Sequence, residues 1–456
     1  MDEAKEKCGI VAVVSKKGKP AAPVLYTGLL GVQHRGQDAA GFVLYGDGEF
    51  YEKRGAGLVL DVLEEKDIAQ PHLVGAGHTR YPTTGTIRFL EIQPITKDGL
   101  CIAYNGHITN FGNLKEGWES EGNVCGAECE LVHGMLLGEL QKGEGVKKAV
   151  SAMMGRLDGA YSIVGIWKGE VFAFRDPHAI RPLVYGENED YVVFCSESCA
   201  LDSNGIRYAG SVGPGQVFIV GEGGKMESET LNNKGERNCM FEYVYFSRPD
   251  STINGKSVER IRRELGAQLV RESPVEADVV VPVPDTSRSA ALGYSQESGI
   301  RYSEGIIKNR YIGRTFIMPT QEAREKAVRM KVNPMRQVFE GRRVVLIDDS
   351  IVRGTTMREM MKMIRSCNPK EVHLRITCPP IASPCFYGVN IPTYSELIIN
   401  RKSVEEIREY IGADSLYYLS LEGLKKVIGD GNCFGCLSGQ YPTEAAREQA
   451  EKAKRS

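Results

Sequence analysis

The chain has 456 residues, of which 25% are charged, and its formal net charge is -2. This length predicts two or three domains, each with its own core. The balanced charge offers no basic stripe for nucleic acid, no apolar run reaches membrane-spanning length, and the charged residues 1–7 are unlike a secretion signal. We therefore predict a cytoplasmic protein that binds neither nucleic acid nor membrane.

Cys8 follows a short polar leader and stands directly before a strongly strand-forming stretch, residues 9–14. If residues 1–7 are a propeptide that is removed, the new α-amino group of Cys8 has a pKa of about 8 and can act as base for its own thiol. Nucleophile and base would then belong to one residue. A buried cysteine without special function is the competing interpretation, because such cysteines are common.

Three polar turns that contain glycine follow, at residues 34–41, 77–85 and 104–107. Together with Cys8 they resemble the class II glutamine amidotransferase domain, an N-terminal nucleophile hydrolase with a four-layer α-β-β-α sandwich. The resemblance implies that Cys8 attacks the side-chain amide of glutamine. The Asn105 side chain and the Gly106 N–H would form the oxyanion hole, whose donors act on charge that develops in the transition state.

The same resemblance implies a pocket for the rest of the glutamine molecule. Its predicted residues are Arg35, Gly36, Arg80 and Glu128. Arg80 would pair with the α-carboxylate, a bidentate task that suits a guanidinium. In each case a solvated surface residue is the simpler alternative when the residue is taken alone.

One segment departs from the family pattern. Residues 127–130 are Ala-Glu-Cys-Glu where a Ser/Thr-Asp-Ser/Thr-Glu run is usual, so Glu128 replaces the aspartate that holds the glutamine α-ammonium. The extra methylene requires the carboxylate to withdraw or the substrate to shift, and a misplacement of about 1 Å can cost on the order of a hundredfold in rate. His107 also stands where asparagine is common.

Beyond about residue 235, apolar strands alternate with amphipathic stretches such as residues 257–272, which predicts an α/β domain with a parallel sheet. Four aliphatic residues, 344–347, are followed by Asp348, Asp349 and a Gly-Thr-Thr turn that opens a helix near Met357. Because a strand end and a following helix N-terminus bind phosphate, this run predicts a phosphosugar site. A buried strand that ends in a solvated turn is the alternative.

The run resembles the phosphoribosyl pyrophosphate (PRPP) motif of type I phosphoribosyltransferases. The resemblance implies these PRPP-binding residues: Lys308, Arg310, Asp348, Asp349, Ser350, Arg353, Gly354, Thr355 and Thr356. It also implies a Mg2+ site at Thr286, Asp348 and Asp349, whose oxygen atoms suit this ion. The basic stretch from Lys308 to Lys331 would be a lid that orders when PRPP binds, with a solvated loop as the alternative.

The chain has twelve cysteines, which in a cytoplasmic protein do not predict a disulfide framework. Cys433 and Cys436 form a Cys-x-x-Cys knuckle that Cys239 and Cys385 can complete to a four-thiolate site, for zinc or for an iron-sulfur cluster. We interpret the others as ordinary buried thiols. These are Cys101, Cys125, Cys129, Cys195, Cys199, Cys367 and Cys378.

Glutaminase motifs followed by a PRPP motif resemble the family of glutamine-dependent PRPP amidotransferases. The segments around Cys239 and Cys385 resemble its iron-sulfur branch, which implies a structural [4Fe-4S] cluster. The resemblance implies hydrolysis of glutamine to glutamate and ammonia, and displacement of pyrophosphate from PRPP by that ammonia, the first step of purine biosynthesis. It also implies a homotetramer inhibited by purine nucleotides.

The predicted domains are a propeptide at 1–7, a glutaminase domain at 8–235, a transferase domain at 236–440 with a C-terminal cluster-binding segment, and a polar tail at 441–456. The competing hypothesis is a catalytically inactive regulatory protein that senses PRPP, because a fold alone does not fix function. Other class II amidotransferases, such as the glucosamine phosphate or asparagine enzymes, lack the Asp348-Asp349 motif.

Overall fold

The structure is a computed structural model that describes residues 8–81, 92–309, 332–391 and 393–455. Residues 1–7, predicted as a propeptide, and residues 310–331, which form most of the predicted lid, lie outside these ranges. Within the ranges just given, every helix is too short or too polar to span a bilayer.

Two antiparallel sheets form the centre of the first half of the chain. Its strands are β1 (Gly9–Ser15), β2 (Ala39–Gly46), β3 (Glu49–Ala56), β4 (Val74–Arg80), β5 (Ile95–Lys97), β6 (Leu100–Ile108), β7 (Gly159–Trp167), β8 (Glu170–Arg175), β9 (Val184–Glu187), β10 (Tyr191–Cys195), β11 (Arg207–Ser211), β12 (Gln216–Val220) and β13 (Met226–Thr230). Among the described residues, one sheet has the order β11-β9-β10-β1-β4-β2-β3 and the other has the order β13-β12-β8-β7-β6-β5.

Helices cover the outer face of each sheet. They are α1 (Ala22–Gly31), α2 (Val59–Val62), α3 (Glu65–Ile68), α4 (Phe111–Ser120), α5 (Glu128–Gln141), α6 (Val146–Arg156) and α7 (Cys199–Asp202). Strand β1 is buried along its whole length. Its residues Val11 and Val13 pack in the core that includes Leu25 of α1, whereas Ile10 packs against the second sheet at Ala103. The predicted α-β-β-α sandwich is confirmed, and it explains why β1 is continuously apolar.

The second half of the chain is an α/β domain. Its strands are β14 (Asn238–Cys239), β15 (Thr252–Ile253), β16 (Lys256–Ser257), β17 (Val279–Pro282), β18 (Ile306–Lys308), β19 (Val332–Pro334), β20 (Arg343–Asp348), β21 (Glu371–Ile376), β22 (Ser415–Tyr418) and β23 (Asn432–Cys433). Its helices are α8 (Val258–Glu272), α9 (Arg288–Ser298), α10 (Arg336–Phe339), α11 (Thr355–Arg365), α12 (Val404–Ile411), α13 (Leu421–Ile428), α14 (Gly435–Ser438) and α15 (Glu444–Arg455). The parallel sheet β17-β20-β21-β22 confirms the predicted class.

The segment predicted as a polar tail folds as helix α15. Ala446 and Ala450 are buried, and the Ala445 N–H donates to Asp158 Oδ2 at 3.2 Å. Gln449 Nε2 donates to the Thr109 carbonyl oxygen at 2.6 Å. The C-terminal helix therefore packs on the glutaminase half, and its two buried alanines, four residues apart, lie on one face.

Candidate active site

Cys8 lies at a corner between two strands of the first sheet. It stands directly before β1, and its φ of 42° is in the left-handed region. The Gly9 N–H donates to Thr79 Oγ1 at 3.2 Å, and Gly9 pairs with Thr79 in the β1–β4 register. Because Thr79 precedes the last residue of β4, Arg80 is a near neighbour of Cys8.

Gly36 presses against the same strand end. A Cβ atom at this position would lie 2.5 Å from backbone atoms of Thr79 and Arg80, far closer than such atoms approach. Glycine is therefore required for the turn to reach β4. The structure thus brings Cys8, Gly36 and Arg80 to one corner.

His78 also belongs to this end of β4 and is fully buried. Burial, and secondarily the charge of Arg80, lower the pKa of His78 to about 3. The imidazole is therefore neutral at physiological pH, and it adds no second positive charge beside Arg80.

Asn105 and Gly106 lie on β6, in the sheet that stacks on β1 and β4. Asn105 is fully buried, and neither atom of its side-chain amide has a hydrogen-bond partner among the described residues. A buried amide without a partner costs about 1–3 kcal/mol, which points to a site that a ligand completes. A Cβ at Gly106 would lie 2.1 Å from the Ala160 carbonyl oxygen, so β7 packs directly on this residue.

Glu128 begins α5, and two side chains of β6 hold its carboxylate. Tyr104 Oη donates to Glu128 Oε2 at 2.8 Å, and His107 Nδ1 lies 2.8 Å from Oε1. The helix N-terminus also favours a negative charge at this position. Since the Glu128 side chain keeps 20% of its exposure, the carboxylate is fixed and still accessible.

The Arg35 side chain lies in a buried cluster of charged residues between the two halves of the chain. Its side chain is fully buried, and Nε donates to the Cys8 carbonyl oxygen at 3.3 Å. Its terminal nitrogens donate to Glu197 Oε1 at 2.5 Å and to Glu242 Oε1 at 2.9 Å. Arg35 therefore contacts the backbone of Cys8, and its role in the glutamine pocket stays a prediction.

Sequence reasoning missed both carboxylates of this cluster. Glu197 is fully buried and also accepts from His34 Nε2 at 2.8 Å and from the Arg248 N–H at 2.9 Å. Burial alone would raise the pKa of Glu197, but His34, Arg35 and these hydrogen bonds hold it well below its ordinary value. No local pattern reveals the pairing, because the two carboxylates lie 162 and 207 residues from Arg35.

The second candidate site lies at the carboxyl ends of β17 and β20, which pair in parallel. Thr286 Oγ1 donates to Asp349 Oδ2 at 2.5 Å, and Ser287 Oγ donates to Asp348 Oδ1 at 3.3 Å. Ser350 Oγ donates to Asp349 Oδ1 at 2.9 Å. The structure therefore brings the three predicted Mg2+ ligands together at the edge where open α/β sheets bind ligands.

Gly354 turns the chain from β20 into α11. Its φ of 77° is left-handed, and helix α11 begins at Thr355, two residues before the predicted start. The partial positive charge of this helix N-terminus suits a phosphate, and Thr356 lies in the same first turn. Arg353 pairs with Glu396 at 2.9 Å on the surface.

Lys308, at the end of β18, reaches the turn that follows β17. Its Nζ lies 3.0 Å from Asp285 Oδ2, and Arg288 Nη1 lies 2.7 Å from Asp285 Oδ1. This places the predicted basic residue beside the turn that carries Thr286, a predicted Mg2+ ligand. Arg310, the other basic residue predicted to bind PRPP from the lid, lies outside the described residues.

Four cysteines line one buried cavity. They are Cys239, Cys385, Cys433 and Cys436. Cys239 and Cys433 stand side by side in the β14–β23 pair, and the buried Arg181 lines the same cavity. In the part of the chain that the structure describes, no three His, Cys, Asp or Glu side chains are close enough together to hold a metal ion.

Two family models match the chain. That of a glutamine amidotransferase domain matches residues 87–203, and that of a phosphoribosyl transferase domain matches residues 253–384. The amidophosphoribosyltransferase of Methanothermobacter thermautotrophicus is 44% identical over 98% of this chain and 97% of its own. That of Bacillus subtilis is 42% identical over 96% of this chain and 94% of its own.

Solved structures give the same result. The glutamine PRPP amidotransferase of B. subtilis in complex with ADP and GMP has a TM-score of 0.88 at 42% identity, over 96% of this chain and 98% of that one. A structure described as the allosteric regulatory enzyme of purine biosynthesis has a TM-score of 0.89 at 41% identity, over 96% and 97%.

The fold and the two sites define a glutamine amidotransferase joined to a phosphoribosyltransferase. The identity and coverage go further: the chain belongs to the amidophosphoribosyltransferase family. It is a transferase that aminates PRPP with nitrogen from glutamine in purine biosynthesis. The comparisons therefore favour the enzyme over the PRPP-sensing regulatory protein.

Proposed function

We propose that the two candidate sites divide the reaction, with Cys8 generating ammonia and the Asp348-Asp349 edge holding PRPP. This division is supported by two arrangements of side chains that occur together in this chain. One is a cysteine at a strand corner of the first sheet, together with a buried amide on the stacked sheet that has no partner among the described residues. The other is an acid pair joined to Thr286 before a helix N-terminus.

In the glutaminase half, the Cys8 sulfur attacks the side-chain carbonyl carbon of glutamine and a tetrahedral intermediate forms. Its oxyanion accepts from the Asn105 side chain and the Gly106 N–H. The C–N bond then breaks, ammonia leaves with the proton from the thiol, and water hydrolyses the thioester to glutamate. Arg80 and Glu128 bind the α-carboxylate and the α-ammonium, and Gly36 gives the pocket its close approach to β4.

Asn105→Ala is expected to lower the kcat for glutamine hydrolysis roughly 10²- to 10³-fold, as the loss of one oxyanion donor does in other enzymes. Activity with ammonia should stay within about twofold of the wild type, because the Asp348-Asp349 site is unchanged. Steady-state glutamate release checks this. An equal loss with both donors would show that Asn105 supports the fold and not the oxyanion.

In the transferase half, ammonia attacks C1 of PRPP from the face opposite the pyrophosphate, whose C–O bond breaks, and 5-phosphoribosylamine forms. Asp349, fixed by Thr286 and Ser350, orients the ribose, and the N-terminus of α11 with Thr355 and Thr356 binds the 5-phosphate. The oxygen atoms of Asp348, Asp349 and Thr286 fit Mg2+, which uses one or two carboxylates plus substrate phosphates and would neutralise charge on the departing pyrophosphate.

Asp349→Asn is expected to lower pyrophosphate release about 10²-fold or more with either nitrogen donor, since positioning at C1 is lost. Glutamine hydrolysis measured alone should keep its basal rate. Comparison of the two assays on one preparation separates the sites. A variant that loses activity with glutamine but retains it with ammonia would contradict the assignment.

We further propose that Cys239, Cys385, Cys433 and Cys436 hold a [4Fe-4S] cluster. Their arrangement around one cavity supports a shared four-thiolate site. Four thiolates are the usual ligands of such a centre. The cluster would join the C-terminal segment to the transferase core and takes no part in the bond changes.

Cys436→Ser is expected to abolish most of the visible absorption that anaerobic reconstitution with iron and sulfide gives to the wild type. The matched control is Cys367→Ser, which changes a buried thiol outside the cavity and should leave that absorption intact. Iron and sulfide analysis of both proteins checks the prediction. Equal absorption in the two variants would remove Cys436 from the ligand set.

Further properties follow as proposals. Purine nucleotides regulate the enzyme, which the B. subtilis relative supports because it was solved with ADP and GMP. It acts as a homotetramer in the cytoplasm. Its domains are 8–235 and 236–440, a division supported by the positions of β13 and β14 on either side. The propeptide, residues 1–7, is removed to expose the Cys8 amine.

The test of the proposed division is transfer of label from [amide-15N]glutamine to C1 of ribose in the presence of PRPP and Mg2+. We expect the amine product to carry 15N even when unlabelled ammonia is added at an equal concentration, because the ammonia passes internally. Product that carries the isotope ratio of the bulk solution would contradict internal transfer. Absence of amine product would contradict the assigned activity.

A further inference from the structure

We propose that His107 is a positioning residue for glutamine, which fixes the carboxylate of Glu128 as the receptor of the glutamine α-ammonium. This inference rests on the proposed role of Glu128. It treats the two departures from the family pattern, Glu128 for aspartate and His107 for asparagine, as one matched pair.

The geometry of β6 supports the pairing. Tyr104 and His107 flank Asn105 and Gly106, and both contact the same carboxylate, one at each oxygen, at 2.8 Å. One four-residue segment therefore carries the oxyanion donors and fixes the anion for the other end of the substrate.

The longer glutamate side chain needs a second hydrogen bond to hold its carboxylate in one position. Glutamate has one more rotatable bond than aspartate, and its carboxylate would sample several positions without restraint. Burial and the Glu128 charge raise the pKa of Tyr104 well above its ordinary value, so its hydroxyl remains a donor. The Glu128 side chain keeps 20% of its exposure, so an ammonium can reach the carboxylate that Tyr104 and His107 hold.

Three variants test the pair: His107→Ala, Glu128→Asp and the double substitution. We expect each single change to lower kcat/KM for glutamine roughly tenfold, mainly through KM, as for one hydrogen bond to a charged group. The double variant should stay within about threefold of the worse single variant, because the shorter aspartate has already withdrawn its carboxylate from position 107. Activity with ammonia should not change in any of them, which also shows that each variant is folded.

Two controls separate the possible failures. Glu139→Asp changes an acid on the same helix whose carboxylate contacts Lys142, and it should leave the glutamine KM unchanged. Glu128→Gln should raise the glutamine KM; no effect would overturn the proposed role of Glu128 itself. A raised KM in Glu128→Gln with no effect of His107→Ala, or purely additive effects in the double variant, would overturn the positioning role alone. If His107→Ala loses activity with ammonia, His107→Asn, whose side-chain N–H stands where the histidine Nδ1 stands, should restore both activities, and failure to do so also overturns the positioning role.

Discussion

Cys8→Ala should lower glutamine-dependent formation of product by a factor on the order of 10⁴ or more, because no covalent route remains for breaking the amide. Activity with ammonia should stay within about twofold of the wild type, since the Asp348-Asp349 site is built from other residues. Pyrophosphate release, measured with each donor on one preparation, checks both halves of the expectation.

The matched control is Cys125→Ala, which removes another thiol of the glutaminase half. It should leave both activities near those of the wild type. Glutamine turnover that survives in Cys8→Ala would assign the nucleophile to another residue. A parallel loss with ammonia would instead show that Cys8 holds the two halves together.

Arg35→Met should destabilise the protein by about 3–5 kcal/mol, because it leaves Glu197 and Glu242 buried without their shared cation. The loss should appear as a lower urea midpoint of the first unfolding transition. Glutamine-dependent activity should fall as well, since the Arg35 contact with the Cys8 carbonyl disappears. Neutralising one carboxylate in Arg35→Met/Glu242→Gln should recover part of the stability.

The loss of folding stability in Arg35→Met is expected to change with pH in a defined direction. The depressed pKa of Glu197 contributes stability that is present above its ordinary value of 4.5 and is lost as the pH falls toward the folded-state pKa. The deficit of Arg35→Met should therefore be largest at neutral pH and shrink as the pH falls below about 4.5, where the wild type loses the contribution of Glu197. A deficit that is constant across this range would attribute the effect to lost packing and not to charge.

The sequence predicted the Asp348-Asp349 site of the transferase domain well. Its strand, its acid pair and its glycine turn are formed by neighbouring residues, so each could be recognised from a short stretch of sequence around Asp348 and Gly354. The helix start differed by two residues because Gly354 adopts the cap conformation directly before Thr355. Residues 257–272 likewise form a helix within one residue of the predicted bounds.

Long-range pairings could not be predicted in this way. Arg35 was assigned to the pocket because its turn matched a family motif, yet its partners come from segments far along the chain. Glu128 and His107 were each noticed as departures, but only the fold shows that they touch. Folding of residues 444–455 as a helix was accessible from the spacing of Ala446 and Ala450, a pattern that the polar composition of the tail obscured.

The most direct measurement is anaerobic pyrophosphate release from PRPP and Mg2+ by the purified protein, with glutamine and ammonia compared as nitrogen donors. The two-site account predicts turnover with both donors, and glutamate formed in step with pyrophosphate when glutamine is used. Turnover with ammonia alone would contradict the glutaminase assignment built on Cys8 and Glu128. The absence of turnover with either donor would contradict the enzyme altogether and favour a PRPP-binding regulatory protein.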